Sequence, residues 1–432
     1  MRRVLAMNQE LNWIYRRIEL RGIEATKYSW EHIRDLRKRA HMIKRKLDQI
    51  VPQLWSKDED SANLHAADVA SLEEIRAAID ENTMLLEYYV ADGRVYAIVL
   101  GRTTFRVLPL APAEPIYQEF LLLDFQLSKF RLGENYLQTF AQLQRAATDH
   151  HLHALYRDLI EPVRHLLRCR HIVIVPHGYL HRLPFHALFD GERYLIDNYS
   201  ISYSPSASVF YLCSRVKTIN RGGRSTVIGV PDSRTPYISK EVAAVAAELP
   251  KTRLVIGREA TVNQFRKLAS QSRFVHIATH GKFRTDNPMF SSIRLSDSHL
   301  SVYDLYDLHL SAELVTLSGC GTGLSVVTSG DELLGLVRGL LYSGTRAVLL
   351  TLWDVNDQST ADFMKSFYAK MSVGSDKSEA LRQAVRELRQ TYPSVYHWAP
   401  FVLMGNCENR RLSRRVDFSR NKRPCSSTPD CG

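Results

Sequence analysis

Apolar residues at Met7, Leu11, Ile14 and Ile18 step along the chain by four, three and four positions. Beyond Gly22, the residues Ile33, Leu36, Ala40, Ile43, Leu47 and Ile50 continue in steps of three and four without a miss. Side chains at those spacings share one helix face, and their regular alternation is a heptad seam. The pattern predicts two helices over 1–50, paired as an α-helical hairpin or coiled-coil arm. The basic runs RDLRKR and KRK fall mostly off the seam, which suits a solvated face.

From about residue 83 the texture changes. MLLEYYV, RVYAIVL and TFRVLPL read as consecutive strands, with a turn at Asp92-Gly93 between the first two. A helical stretch over roughly 115–168 leads to the strand HIVIV at 171–175, then to a Gly/Pro-rich turn, a short hairpin and a helix start. Residues 214–224 are polar and Gly-containing and read as a linker. Strands and helices then alternate. Strands are predicted at 225–230, RLVIG, 273–279, 314–318, 346–352 and FVLMG, with helices at 239–249, 261–270, 331–343, 357–372 and 376–391. Short β-branched strands interleaved with helices imply a parallel α/β sheet, in which function gathers at the carboxyl ends of the strands.

Composition narrows the options. The formal charge of +11 is confined to the ends: 1–50 hold 13 Lys/Arg against 6 Asp/Glu, and 408–432 hold 7 against 3. That leaves 37 of each sign in 51–407, a neutral body that argues against a nucleic-acid groove. No apolar run reaches ~18 residues, so no membrane-spanning segment is expected, and the first residues have no signal-peptide h-region. The six cysteines form no CxxC pair, which points to neither zinc nor a disulfide framework and suits a reducing cytosol. No cofactor is implied. His177, His181 and His186 are spaced by four and five, but Gly178 and Pro184 argue against the helix a metal site would need there.

Three strand ends carry polar residues: His280, Cys320, and Trp353-Asp354 with Asp357. A histidine and a cysteine on neighbouring strand ends can form a thiol nucleophile, the imidazole taking the thiol proton. Glycines beside each, Gly281 and the pair Gly319 and Gly321, leave room for close backbone approach. The N–H groups of Gly281 and Cys320 are candidates for an oxyanion site. His276, alternating inside its strand, reads as a core residue. Periodicity alone leaves a purely structural His and Cys equally open. No GxxxxGK[ST] and no GxSxG occur.

FVHIATHGKF, LVTLSGCGTGLS and GDELLGLVRGLLYSGTRAVLLTLWDVND together resemble the CHAT domain, a caspase-like cysteine peptidase module related to separase and often found beside tetratricopeptide repeats. SLEEIRAAIDENTMLLEYYVADGRVYAIVL and HIVIVPHGYLHRLPFHALFDG extend the resemblance to about 71–405. It implies a caspase-hemoglobinase α/β fold in two halves, a degenerate half over 71–213 and a catalytic half over 225–407, joined by the linker. The helical arm of 1–70 precedes them and a basic tail of 408–432 follows. The resemblance assigns the catalytic histidine to His280 and the nucleophile to Cys320. WDVND resembles a separase segment whose aspartate lines the P1 pocket, making Asp357 the first candidate and Asp354 the second, with Trp353 beside them. Where the family commonly has Ala and Glu around the cysteine, this chain has Gly319 and Gly321.

The expectation is a cytosolic cysteine endopeptidase that cleaves a protein partner and is activated by a sensor or adaptor through the N-terminal helices. The alternative is a non-catalytic scaffold of the same fold. An alternative role for Asp357 is to cap the helix of 357–372.

Overall fold

The structure is a computed structural model that describes residues 69–132, 134–216, 223–233, 235–282, 291–319 and 331–407, with scattered positions between 7 and 46. Cys320, the tail of 408–432 and most of the linker and of 1–68 lie outside the described residues. The chain divides into two compact units, Met1–Ala78 and Ile79–Gly432.

In the first unit the described positions of 7–46 are helical. Leu36 and Ile43, one heptad apart, are buried, whereas Arg34, Asp35, Lys38 and Arg39 are exposed, as the seam requires. The Arg39 guanidinium donates to the Glu10 carboxylate through Nε at 2.8 Å. A helix over Leu72–Ala78 starts with a reciprocal cap: Glu74 N–H donates to Ser71 Oγ at 3.2 Å, and Ser71 N–H donates to Glu74 Oε2 at 2.9 Å.

The second unit is built on one eleven-stranded sheet. Its strands in chain order are β1 (Thr83–Ala91), β2 (Arg94–Leu100), β3 (Phe105–Pro112), β4 (His171–Val175), β5 (Ser200–Tyr203), β6 (Arg224–Gly229), β7 (Thr252–Ile256) and β8 (Ser272–Ala278). After β8 come three short strands of a separate small sheet, β9 (Gly281–Lys282), β10 (Ser292–Arg294) and β11 (His299–Ser301). The main sheet resumes with β12 (Leu314–Ser318), β13 (Ala347–Thr351) and β14 (Phe401–Gly405). Spatial order is β3-β2-β1-β4-β5-β14-β13-β12-β8-β6-β7.

Local chemistry explains the order. Asp92 and Gly93 both adopt left-handed backbone (φ +49° and +70°), so the two-residue turn twists with the strands and makes β1–β2 an antiparallel hairpin. Helices α1 (Ala113–Ser128) and α2 (Ala141–Leu159) then cover one face, burying Ile116, Phe120 and Leu123 from the first and Leu152, Leu155 and Leu159 from the second. In the second half β13, β12, β8, β6 and β7 are all parallel. Helix α3 (Ile238–Glu248) connects β6 to β7, and α4 (Val262–Ala269) connects β7 to β8. Helix α5 (Asp331–Tyr342) lies between β12 and β13.

The sheet is not parallel throughout, as the sequence pattern suggested. β14 runs antiparallel to β13 because two helices, α6 (Asp357–Ser372) and α7 (Lys377–Thr391), separate them. A single crossover helix returns the chain to the strand's starting end, and the second carries it back again. β14 also pairs with β5, through Met404 and Tyr203, and so fuses the two halves into one sheet.

Candidate active site

β8 and β12 are parallel and in register, with Ala278 opposite Ser318 at their carboxyl ends. The next backbone group maintains the pairing: Thr279 N–H donates to Ser318 O at 2.9 Å. His280 follows directly, its side chain 20% exposed. The Thr279 hydroxyl donates to Arg294 O at 2.8 Å, and Arg294 N–H donates to His280 O at 2.9 Å. The histidine backbone is therefore fixed from both sides before its ring makes any contact.

The ring is held by a residue that sequence reasoning missed. Asp232 sits three residues beyond the end of β6, the other neighbour of β8. Its Oδ2 lies 2.9 Å from His280 Nε2 and 3.2 Å from Arg294 Nη1. Its Oδ1 accepts from Thr235 N–H at 3.2 Å and from the Thr235 hydroxyl at 3.1 Å. A carboxylate with that many donors is locked in orientation and imposes its direction on the imidazole. A usable signal was present: Pro231-Asp232 after STVIGV is a fourth strand end with a polar residue.

Asp357 joins this group from α6. Tyr237 N–H donates to its Oδ2 at 2.6 Å, tying the start of α6 to the segment before α3. Burial raises the Asp357 carboxyl above its ordinary value; the Tyr237 N–H opposes that, Glu241 adds to it, His280 opposes it and Asp232 adds to it. Asp357 thus feels Asp232 and His280 at the strand ends and the buried Glu241 from within α3.

The helix-cap alternative for Asp357 is corrected. Asn356 is the N-cap of α6, its side chain accepting from Ser359 N–H at 3.0 Å, and Asp357 occupies the first helical position. Asn356→Ala is expected to lower stability by about 1 kcal/mol, the usual worth of an N-cap, which chemical denaturation would measure. Trp353 is buried, and its Nε1–H donates to Tyr396 O at 3.1 Å. That bond ties the end of β13 to the segment before β14, with Asp354 half-buried beside it.

Gly281 opens β9 and pairs with Ile293 of β10. His276 is fully buried in β8, its Nε2 3.0 Å from Glu241 Oε1 and its Nδ1 3.3 Å from the Tyr368 hydroxyl. The Glu241 contact is too oblique to be a hydrogen bond, and we read it as a packed polar pair. His177, His181 and His186 are engaged separately. Val90 N–H donates to His177 Nδ1 at 3.3 Å, His181 is buried, and His186 Nδ1 lies 2.8 Å from the Tyr203 hydroxyl.

The CHAT domain family matches residues 149–406, leaving β1–β3 and α1 outside the match. Tetratricopeptide repeat protein 28 of Mus musculus is 27% identical over 325 residues, covering 59% of this chain and 13% of that protein. The Homo sapiens protein of the same name is 26% identical with the same coverage. This chain therefore corresponds to about an eighth of the length of those relatives. Among solved structures, the Saccharomyces cerevisiae separase–securin complex at 3.0 Å superposes with a TM-score of 0.55 at 13% identity, covering 80% of this chain and 30% of that one. At such identity the likeness is one of fold, the separase caspase-like α/β fold. The chain belongs to the CHAT domain family.

Proposed function

We propose that this chain carries a cysteine endopeptidase centre, with Cys320 as nucleophile and His280 as its base. The observation that supports this most is the Asp232–His280 pair at the end of β8, 2.9 Å apart, beside the in-register strand whose next residues are Gly319 and Cys320. With Nε2 turned to Asp232, the ring would exchange protons through Nδ1. His280 takes the Cys320 thiol proton, and the thiolate attacks the scissile carbonyl carbon. The backbone N–H groups of Gly281 and Cys320 are the proposed donors to the oxyanion. The proton then passes from His280 to the leaving amine, and water hydrolyses the thioester by the same base.

Asp232 is then a positioning residue. Asp232→Asn is expected to lower kcat by about 100-fold or more while moving KM little, since orientation and imidazolium stabilisation act only in the transition state. An unchanged kcat in steady-state kinetics would remove it from the mechanism.

Asp357 is the proposed P1 determinant. Tyr237 holds its Oδ2, and Oδ1 is the oxygen a substrate Arg or Lys would meet. Burial has made this carboxylate costly, and a cation offsets that cost. Asp357→Ala should reduce cleavage after Arg or Lys by ~10-fold or more, consistent with losing a charge-assisted contact, and spare apolar P1 residues. Equal losses for both classes would reject the assignment.

Activation through a sensor or adaptor binding the heptad seam of residues 1–50 belongs to the same proposal. Full activity of the isolated chain would count against it. A second reading, an interaction scaffold with an idle dyad, has one point in its favour: the matched mouse and human relatives bear the name of a repeat protein. Exposing a peptide library to the full chain and sequencing the new amino termini separates the two. Cleavage that requires His280 supports the peptidase, and its absence under every partner condition supports the scaffold.

A further inference from the structure

The amino ends of β6, β7 and β8, opposite the end that carries His280, open into a cavity of about 440 Å³. Four cationic side chains line it: Arg224 at the start of β6, Lys251 and Arg253 at the start of β7, and Lys267 from α4. Among the described residues its lining contains no carboxylate. Lys251 holds a left-handed backbone (φ +50°), a conformation that strains a lysine and would not strain a glycine. The floor is polar but self-contained. The buried Ser272 hydroxyl donates to Leu268 O at 2.8 Å, and the Thr226 hydroxyl, 2.7 Å away, donates to Ser272. Recognition in this cavity therefore falls to the four cations.

A second basic cavity, lined by Arg145, Arg386 and Arg389, does not share this property. It contains Asp197, which already holds Arg389 at 2.6 Å. In the β6–β8 cavity, Arg224, Arg253 and Lys267 converge with no acid among the described lining residues.

We propose that the β6–β8 cavity is a binding site for a small polyphosphate anion carrying three or four negative charges. Phosphate oxygens match guanidinium forks and ammonium donors, and the volume falls within the ~300–1,000 Å³ of small-molecule sites. A nucleic-acid strand fits less well. Among the described residues no aromatic side chain lines the cavity to stack a base, and residues 51–407 as a whole are electrically balanced, which provides no track for a backbone.

The test is calorimetric titration of the full chain with tripolyphosphate at constant ionic strength, with thermal unfolding in parallel. Saturable binding and a rise in Tm are expected. The double variant Arg253→Glu/Lys267→Glu changes two exposed side chains and should fold as before by circular dichroism. It should bind at least about 100-fold more weakly, because each charge-assisted contact is worth roughly tenfold or more. Three results would overturn the proposal: no saturable binding up to about 10 mM, beyond any useful affinity; equal binding by the double variant; or binding of an oligonucleotide of about 20 residues without binding of tripolyphosphate.

Discussion

Cys320→Ala is expected to reduce peptide cleavage by roughly 10⁴-fold or more, with His280→Ala falling to the same floor and the double variant no slower than either. Members of one catalytic unit are not additive: without the thiolate the imidazole has nothing to activate, and without the imidazole the thiol keeps its proton. The fold should survive both changes. The β8–β12 register is set by backbone pairing that continues to Thr279 N–H and Ser318 O. Asp232 keeps Arg294 and Thr235 as partners when His280 is gone, so no buried carboxylate is stranded. Steady-state rates and Tm values for the three variants form the check. A Cys320→Ala protein that retains substantial cleavage would refute the assignment.

The second large effect is loss of stability in mild acid. Burial pushes His181 down to about 4, with the charges of Arg338 and His177 adding to it, and burial pushes His186 down to about 3. Both are neutral in the fold and take up protons near 6.5 once unfolded. The unfolded chain therefore binds more protons below that value, and stability falls as pH falls from 6.5 towards the folded values. At about 1.4 kcal/mol per pH unit for each histidine, the two remove roughly 5–6 kcal/mol by pH 4.5. That approaches the ~5–15 kcal/mol of a whole domain. Glu87, Asp149, Asp307 and Asp357, whose carboxyls are raised mainly by burial, act in the opposite sense as they protonate. Their contribution begins nearer the ordinary carboxyl range and overlaps only the lower part of the window. Denaturant midpoints should thus fall steeply between pH 6.5 and 4.5. A flat profile there would contradict the burial of these two histidines.

What was legible in the sequence follows the strength of the local signal. LVTLS is β12 over the same five residues, and FVLMG is β14, because β-branched and apolar runs bounded by glycine or polar residues leave little choice. The Asp92-Gly93 hairpin was equally clear. The small sheet was not. β9, β10 and β11 are two or three residues long and too short to show a period. The direction of β14 depends on counting crossover helices, which periodicity does not report. In the candidate site, His280 was visible because it follows a strong strand and precedes glycine. Asp232 also ends a strand, but its pairing with His280 does not show, since the two lie 48 positions apart and only the β6–β8 pairing unites them. Asn356 was passed over as a cap because Asp357, Ser359 and Thr360 suit a first turn as well.

The proposed centre is a thiolate at Cys320 that depends on His280 and is oriented through Asp232. A thiol-reactive peptide probe, read by mass spectrometry at every cysteine, tests it most directly. Cys213 and Cys407 are buried, and burial pushes the Cys169 thiol up to about 11 and the Cys213 thiol up to about 12, so these positions should stay silent. Labelling at Cys320 is expected under an activating condition, without labelling at Cys169, Cys213 or Cys407, and it should be lost in His280→Ala. Labelling at Cys169, Cys213 or Cys407 equal to that at Cys320, or labelling undiminished at Cys320 without His280, would contradict it.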